Sequence, residues 1–242
     1  MTITTPSSAA VSALEDRLQS VRERIVASER SSGRQAGSVS LVGVSKTVGR
    51  DVIDAAYAAG LRDFGENRVQ DARDKFTDVQ DDTRLHLIGS LQTNKARFVT
   101  GFAHLIHSVD RSTLLDALQE RAAGSDIIQP ILLQVNIARE EQKHGCLPED
   151  VTALLEHALG CPNLLLRGFM TMAPLVSTPE QSRPVFAGLR DVRDEMQIRY
   201  PEAQFKELSM GMTNDYVVAI EEGATLVRVG RAIFAETARV ST

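Results

Sequence analysis

Short apolar runs recur along the chain, and between them apolar residues return at the three- and four-residue spacing of a helix. The runs are rich in Val, Ile and Leu, which is typical of strands buried on both faces. They predict strands at residues 39–46, 63–67, 85–89, 104–108, 131–136, 164–170, 207–209 and 225–229. The segments between them predict helices at residues 51–59, 69–76, 95–99, 114–122, 148–160, from 178 onward and 217–222.

The alternation of strand and helix is the repeating unit of an α/β protein. Eight such units in roughly 200 residues predict a single (β/α)₈ TIM barrel domain over residues 11–242, after a loose, disordered segment at residues 1–10. A doubly wound open sheet is the alternative. No glycine-rich dinucleotide fingerprint follows the first predicted strand, which weakens that alternative.

An extra helix is predicted ahead of the first strand. Its start fits a capping box at residues 12–15, and it ends by residues 31–33, where Gly33 follows two serines. Its apolar residues predict an amphipathic helix laid against another part of the protein. A coiled-coil partner helix is the alternative, but the pattern is too short to support it. The apolar residues are Val11, Leu14, Leu18, Val21 and Ile25.

Composition and charge narrow the class of protein. The net charge is -5 without a basic block, which argues against nucleic acid as the main partner. No apolar run approaches the length of a membrane span, and residues 1–10 lack the pattern of a signal peptide, so we expect a cytoplasmic protein. Two cysteines, Cys146 and Cys161, make no disulfide framework, and His144 beside Cys146 lacks a second ligand pair for a metal site.

Lys46 ends the first predicted strand, directly after the run 39–45. Loss of water around an ammonium at such a place favours the neutral, nucleophilic amine that a Schiff-base lysine requires. The alternative is a strand-end lysine that extends to solvent. From this stretch alone, the solvent-exposed alternative is favoured.

Polar or adaptable residues follow most of the other strands as well. In barrels of this class the chemistry sits where strands end and loops begin, so these residues predict a site at one end of the barrel. The positions are Glu66, Asn67, Ser90, Asn136, residues 170–172, Ser209 and Gly230.

The seventh and eighth loops carry the most specific pattern. Ser209, Thr213 and Asn214 bring small polar groups to the start of a predicted helix, and Gly230 and Arg231 open another. Hydroxyls and helix-start N–H groups together form anion sites, and the phosphate sites of many barrels lie at these two loops. Alternatively, Ser209 and Thr213 are turn and N-cap residues.

Arg228 lies inside the last apolar strand, between Val227 and Val229. A buried guanidinium is costly without a partner. It either meets a ring nitrogen or an anion in the barrel mouth, or forms a salt bridge with Glu207 of the neighbouring strand. Composition and spacing leave both alternatives open.

Several motifs together resemble the pyridoxal phosphate homeostasis protein family (the YggS/PROSC group). The resemblance extends from Lys46 to Phe234. The motifs are LVGVSKT at residues 41–47, FGENRVQ at 64–70, HLIGSLQTNK at 86–95, GFMTMAP at 168–174, LSMGMT at 208–213 and VRVGRAIF at 227–234.

The resemblance implies a barrel like the N-terminal domain of alanine racemase, with pyridoxal 5'-phosphate held as a Schiff base on Lys46. It also implies phosphate contacts from Ser209, Thr213 and the backbone of Gly230 and Arg231.

At the ring of the cofactor, the resemblance implies that Arg228 faces the pyridine nitrogen and that Asn67 and Met170 line the site. Three residues depart from the family pattern, and one of them puts the side-chain detail near the phosphate in doubt. They are Arg68, Arg231 and Ala235.

The family implies a carrier that buffers pyridoxal phosphate and delivers it to the apo-forms of pyridoxal phosphate enzymes, and we expect a monomer without catalytic turnover. An amino-acid racemase on the same barrel is the alternative, and a phosphosugar enzyme with a Schiff-base lysine is a third. Racemisation requires a second base. Tyr57 and Tyr200 fall in or beside outer helices, Tyr216 follows the phosphate loop, and we expect no second domain after Phe234.

Overall fold

The computed structural model describes residues 8–234. Eight parallel strands close into a barrel in sequence order, and the last strand pairs with the first. The predicted (β/α)₈ barrel is therefore confirmed. The strands are β1 (Ser40–Val44), β2 (Asp63–Glu66), β3 (Arg84–Leu87), β4 (Leu105–Val109), β5 (Gln129–Gln134), β6 (Leu164–Met170), β7 (Glu207–Ser209) and β8 (Leu226–Val229).

Helices form the layer around the barrel. The apolar core fills the space between them and the outward faces of the strands; Phe64 of β2, for example, lies with its ring centroid 5.6 Å from that of Phe76. The α-helices are α1 (Ser8–Ser31), α2 (Arg50–Ala58), α3 (Val69–Phe76), α4 (Ser112–Gly124), α5 (Val151–Leu159), α6 (Arg183–Arg199), α7 (Tyr216–Glu221) and α8 (Arg231–Phe234). Short 3₁₀ helices cover Thr93–Phe98, Pro148–Asp150 and Pro179–Ser182.

The extra helix α1 packs against α7, α8 and α2 through Leu14, Leu18, Val21 and Ile25, all of them buried. It begins at Ser8, so the capping box predicted at residues 12–15 is wrong: those residues lie inside the helix. Of the segment expected to be disordered, residues 1–7 lie outside the described residues and residues 8–10 are helical.

Two predicted helices differ in kind from the expectation. The segment after β3 is a 3₁₀ helix, not an α-helix. Before α6, Thr178 and Gln181 form a capping box on the 3₁₀ helix Pro179–Ser182, and α6 starts at Arg183 with Pro184 in its first turn. Proline is tolerated there because its missing N–H has no partner in a first helical turn.

The inside of the barrel is filled by side chains that alternate inward along each strand. One part is an apolar cluster, hereafter the apolar interior cluster, made of Val42, Leu105, Leu132, Met170 and Leu226. The rest includes buried polar side chains, described below. Within residues 8–234, no helix is long and apolar enough to cross a membrane.

Candidate functional site

A cavity of about 890 Å³ opens at the end of the barrel where the strands finish. Its volume falls within the range of small-molecule sites, roughly 300–1,000 Å³. The structure brings most of the predicted site residues to its wall. These are Lys46, Asn67, Thr213, Arg228, Gly230 and Arg231.

Lys46 follows β1 and lies in the wall of this cavity, but its side chain is exposed. Of the two alternatives for this lysine, the structure therefore fits the strand-end lysine that extends to solvent. The reason is that the strand ends at Val44, two residues earlier, so the lysine lies on the loop, outside the packed barrel. What distinguishes Lys46 is its place in the cavity.

The buried side chains of Ser45 and Glu66, together with the half-buried Lys75, hold the backbone next to Lys46. The Ser45 hydroxyl donates to Glu66 Oε1 at 2.7 Å, and Lys75 Nζ donates to the Ser45 carbonyl at 3.0 Å and to Glu66 Oε1 at 3.1 Å. Glu66 is completely buried, and burial raises the pKa of its carboxyl against the opposing effects of Ser45 and Lys75. Because alternation turns Glu66 toward the helix layer, it supports the lysine loop from behind and is absent from the cavity wall.

The loops after β2 and β3 touch closely. An added Cβ at Gly89 would lie 2.2 Å from the carbonyl oxygen of Asn67, so a side chain at residue 89 would force the two loops apart. Asn67 and Gly89 both line the cavity. A glycine is thus required here for the close approach of two backbones.

The loops after β7 and β8 form the neighbouring part of the wall. Thr213 and Arg231 line it, and the Arg231 guanidinium lies 3.4 Å from the Asn214 side-chain oxygen. An added Cβ at Gly230 would lie 3.3 Å from the carbonyl oxygen of Val44, which brings this loop close to the end of β1. The loops after β7 and β8 thus bring a hydroxyl and a guanidinium to one cavity, and both groups can bind an anion.

The predicted helix-start contribution at loop seven is limited. Helix α7 begins at Tyr216, and the carboxylate of Asp215 accepts the backbone N–H of Met212 at 2.6 Å. Asp215 places a negative charge at this helix start, which opposes an anion there. The loop itself turns at Gly211, where φ is +89° and an added Cβ would lie 2.6 Å from Ala219.

Arg228 is buried, with 4% of its surface exposed, and contributes to the cavity floor. Its Nη1 donates to Ser209 Oγ at 2.5 Å and its Nη2 to the Thr171 carbonyl at 2.9 Å. Burial lowers its pKa to about 10, so it stays protonated at neutral pH. The alternative salt bridge to Glu207 is wrong, because Glu207 pairs with Arg167 and the Arg228 guanidinium donates to Ser209 and Thr171.

The structure does not bring Ser209 and Met170 to the cavity wall. Both are completely buried, and both point into the barrel because of the alternation along β7 and β6. The Ser209 hydroxyl contacts Arg228 and His107, while Met170 belongs to the apolar interior cluster. In this structure neither side chain is available to a ligand in the cavity.

Two loops on the opposite side of the cavity were predicted only at their first residues, Asn136 and 170–172. The loop after β5 contributes Gln142, Lys143 and His144, and Lys143 Nζ lies 3.0 Å from a carboxylate oxygen of Glu140. The loop after β6 contributes residues 174–177, with Leu175 92% exposed. Neither loop shows hydrophobic periodicity, so no sequence pattern predicted that these residues would line the cavity.

The three tyrosines lie away from the cavity wall. Tyr57 donates to Asp82 on the outer surface, and Tyr200 donates to Glu156 at 2.6 Å, also outside. Tyr216 is buried, with the Arg24 guanidinium 5.5 Å from its ring centre. Ala235, one of the departures from the family pattern, lies outside the described residues.

Known proteins resemble this chain over most of its length. A family model described as the N-terminal domain of alanine racemase matches residues 13–238. The pyridoxal phosphate homeostasis protein of Aquifex aeolicus is 45% identical over 222 residues, which are 91% of this chain and 97% of that protein. That of Pseudomonas aeruginosa is 38% identical over 226 residues, 93% of this chain and 96% of that protein.

Solved structures show the same barrel. PipY of Synechococcus elongatus, solved with PLP bound, superposes with a TM-score of 0.80 at 37% identity, over 91% of this chain and 99% of PipY. Alanine racemase from Bartonella henselae superposes with a TM-score of 0.70 at 12% identity, over 93% of this chain and 58% of the racemase. The racemase likeness concerns the fold alone.

Proposed function

The chain belongs to the pyridoxal phosphate homeostasis protein family, within the wider family of the alanine racemase N-terminal domain, and we propose that it binds pyridoxal 5'-phosphate on Lys46 and acts in intracellular pyridoxal phosphate homeostasis. When bound, this cofactor supplies an aldehyde that forms a Schiff base with a lysine amine. The name of the relatives and the PLP-bound structure of PipY support the proposal.

One observation of this structure carries the proposal. A single cavity is lined by an exposed lysine, a buried arginine and, on the loops after β7 and β8, the Thr213 hydroxyl and the Arg231 guanidinium. These match the three functional ends of pyridoxal phosphate, which are its aldehyde, its ring nitrogen and its phosphate. Lys46 binds the first, Arg228 faces the second, and Thr213, Gly230 and Arg231 hold the third.

Arg228 sets the character of the ring site. A permanent cation against the pyridine nitrogen discourages protonation of that nitrogen, which weakens the ring as an electron sink. Asn67 lines the cavity between the lysine loop and Gly89. The residues of this chain thus bind and orient the cofactor and do little to activate it.

The proposal is tested by the absorbance spectrum of the purified protein mixed with pyridoxal phosphate, followed by borohydride trapping and peptide mapping. We expect a trapped adduct on the peptide that carries Lys46 and none in Lys46→Ala. Lys95→Ala is the matched control, because Lys95 is exposed on the 3₁₀ helix Thr93–Phe98, outside the cavity wall. An adduct that maps to Lys143 contradicts the assignment.

Delivery of the cofactor to apo-enzymes, by a monomer in the cytoplasm and without turnover of amino acids, completes the proposal. It is supported by relatives that are named for homeostasis. The measurement is reactivation of an apo-enzyme by the loaded protein, compared with an equal concentration of free pyridoxal phosphate. Reactivation no different from that by the free cofactor contradicts delivery.

An amino-acid racemase remains the second candidate because of the loop after β5. Racemisation needs a base on each face of the substrate carbon. Lys46 serves one face, and Lys143 and His144 line the wall on another side of the same cavity. Incubation of the loaded protein with single L-amino acids in deuterated water separates the two functions. Sustained α-proton exchange that is lost in Lys46→Ala favours the racemase.

A further inference from the structure

A continuous chain of hydrogen bonds crosses the inside of the barrel and ends at Arg228. Starting from β2, Asp63 Oδ1 contacts His86 Nε2 at 3.0 Å, and His86 Nδ1 contacts His107 Nε2 at 2.9 Å. His107 Nδ1 then contacts Ser209 Oγ at 2.8 Å, and Ser209 Oγ accepts from Arg228 at 2.5 Å. The five residues, hereafter the interior polar chain, come from five different strands.

Both ends of the interior polar chain have fixed hydrogen-bonding roles. A guanidinium only donates, so Arg228 donates to Ser209. Burial alone would raise the pKa of Asp63, but hydrogen bonds from Arg84 and His86 outweigh it and lower this pKa to about 2. Asp63 is therefore an ionised acceptor at neutral pH.

With both histidine rings neutral, the two ends determine every proton between them. His86 donates from Nε2 to Asp63, which leaves its Nδ1 as an acceptor when the ring is neutral. His107 must then donate from Nε2, which leaves its own Nδ1 to accept the hydroxyl proton of Ser209. The oxygen of Ser209 is thereby turned toward Arg228, and all donors point the same way.

The neutral form of His107 fits this arrangement. The ring is completely buried, and burial lowers its pKa well below the ordinary value, with further lowering by the nearby His86, Arg228 and His104. A proton added at Nδ1 of His107 would face the Ser209 oxygen and displace the Ser209 hydroxyl proton from its acceptor. Burial and the neighbouring charges thus favour the same single pattern of donors.

We propose that His86 and His107 are positioning residues that orient the Arg228 guanidinium toward the cavity by way of Ser209. The chain holds Nη1, the Thr171 carbonyl holds Nη2, and the plane of the guanidinium is fixed as a result. The consequence for the ring of pyridoxal phosphate rests on the proposed function. The orientation of Arg228 itself does not.

The first test needs no substitution and no cofactor. In protein whose histidine rings are labelled with ¹⁵N, NMR distinguishes the two neutral tautomers of each ring. We expect both His86 and His107 to carry their proton on Nε2 at pH 7. A proton on Nδ1 of either ring overturns the proposal, because the donor direction would be broken.

The second test breaks the chain one residue away from Arg228. In His107→Phe the Ser209 hydroxyl loses its acceptor, and we expect the Arg228 Nε–H signal to exchange faster with water and the affinity for pyridoxal phosphate to fall roughly tenfold. The control is His104→Gln. His104 is exposed, its ring centroid lies 5.5 Å from that of His86, and it takes no part in the interior polar chain. Equal exchange in wild type and His107→Phe overturns the proposal.

A double-mutant cycle distinguishes an effect of His107 through Ser209 from a general loss of packing. If His107 acts through Ser209, the affinity of the variant Ser209→Ala with His107→Phe equals that of Ser209→Ala alone. Losses that add independently overturn the positioning role. Correct tautomers and a protected Arg228 in a protein that binds no pyridoxal phosphate would contradict the proposed function and leave this inference standing.

Discussion

Two sets of side chains share the inside of one barrel and differ in kind. The apolar interior cluster joins five strands through side chains that make no directional contact. The interior polar chain joins Asp63, His86, His107, Ser209 and Arg228, which are equally buried but contact one another at 2.5 to 3.0 Å. Barrels of this class commonly fill their interior with apolar layers, so the polar chain is the departure.

The difference shows how one interior serves two purposes. Apolar contacts stabilise the barrel in proportion to the area they bury and tolerate substitution by similar volumes. Buried polar groups cost free energy unless every hydrogen bond is made, and once made the bonds have a direction. The apolar cluster therefore acts on stability, while the polar chain also acts on the orientation of Arg228.

The largest effect on stability is expected in the apolar interior cluster. Met170→Ala removes a completely buried side chain, and we expect a loss of about 2–5 kcal/mol in the free energy of unfolding. Urea denaturation measures it, and Met170→Leu is the volume-conserving control, with a loss below about 1.5 kcal/mol. If Met170→Ala instead bound pyridoxal phosphate more weakly at unchanged stability, Met170 would contact the cofactor, as the family resemblance implied.

At the acidic end of the interior polar chain, we expect Asp63→Asn to lower the free energy of unfolding by about 2 kcal/mol. The pKa of Asp63 is lowered from 3.8 to about 2, so its stabilisation is full above about pH 4 and is lost as the pH falls through about 2. The unfolding free energies of wild type and Asp63→Asn should therefore converge below about pH 4. A difference that stays constant with pH would mean that the variant loses packing and not an ionic partner.

At the ligand end of the chain, Ser209→Ala tests binding directly. It removes the acceptor of a buried guanidinium, and we expect roughly tenfold weaker binding. Because Ser209 contacts Arg228 and not the cavity, pyridoxal and pyridoxal phosphate should weaken equally in titration. A loss confined to pyridoxal phosphate would support the phosphate contact that the family resemblance implied.

The smallest effect is expected at the outer end of the chain. Arg84 forms a two-point pair with Asp63 at 2.6 and 2.5 Å, but its side chain is 45% exposed. Solvent screens such a pair, so Arg84→Met should cost below about 1 kcal/mol in thermal or urea unfolding. A loss as large as that of Asp63→Asn would show that Arg84, and not His86, holds the carboxylate.

Much of the barrel and part of the cavity wall could be predicted from the chain alone. The strands were predicted because apolar runs bounded by polar loop residues occur at all eight places, and Lys46 and Gly230 were placed because each follows such a run. Ser209 and Met170 were predicted in the same way, and their contact with the cofactor stays a prediction. Both end a strand as expected, but the alternation of side chains turned them into the barrel.

The sequence by itself determined the order of strands and helices, the family and the lysine at the first strand end, because these depend on local periodicity and contiguous motifs. Only the tertiary structure decided the partner of Arg228 and the meeting of His86 with His107. These contacts join residues 19, 21 and 102 positions apart on separate strands. Closure of the barrel brings such residues together, and the pattern of residues along the chain does not show which distant positions will meet.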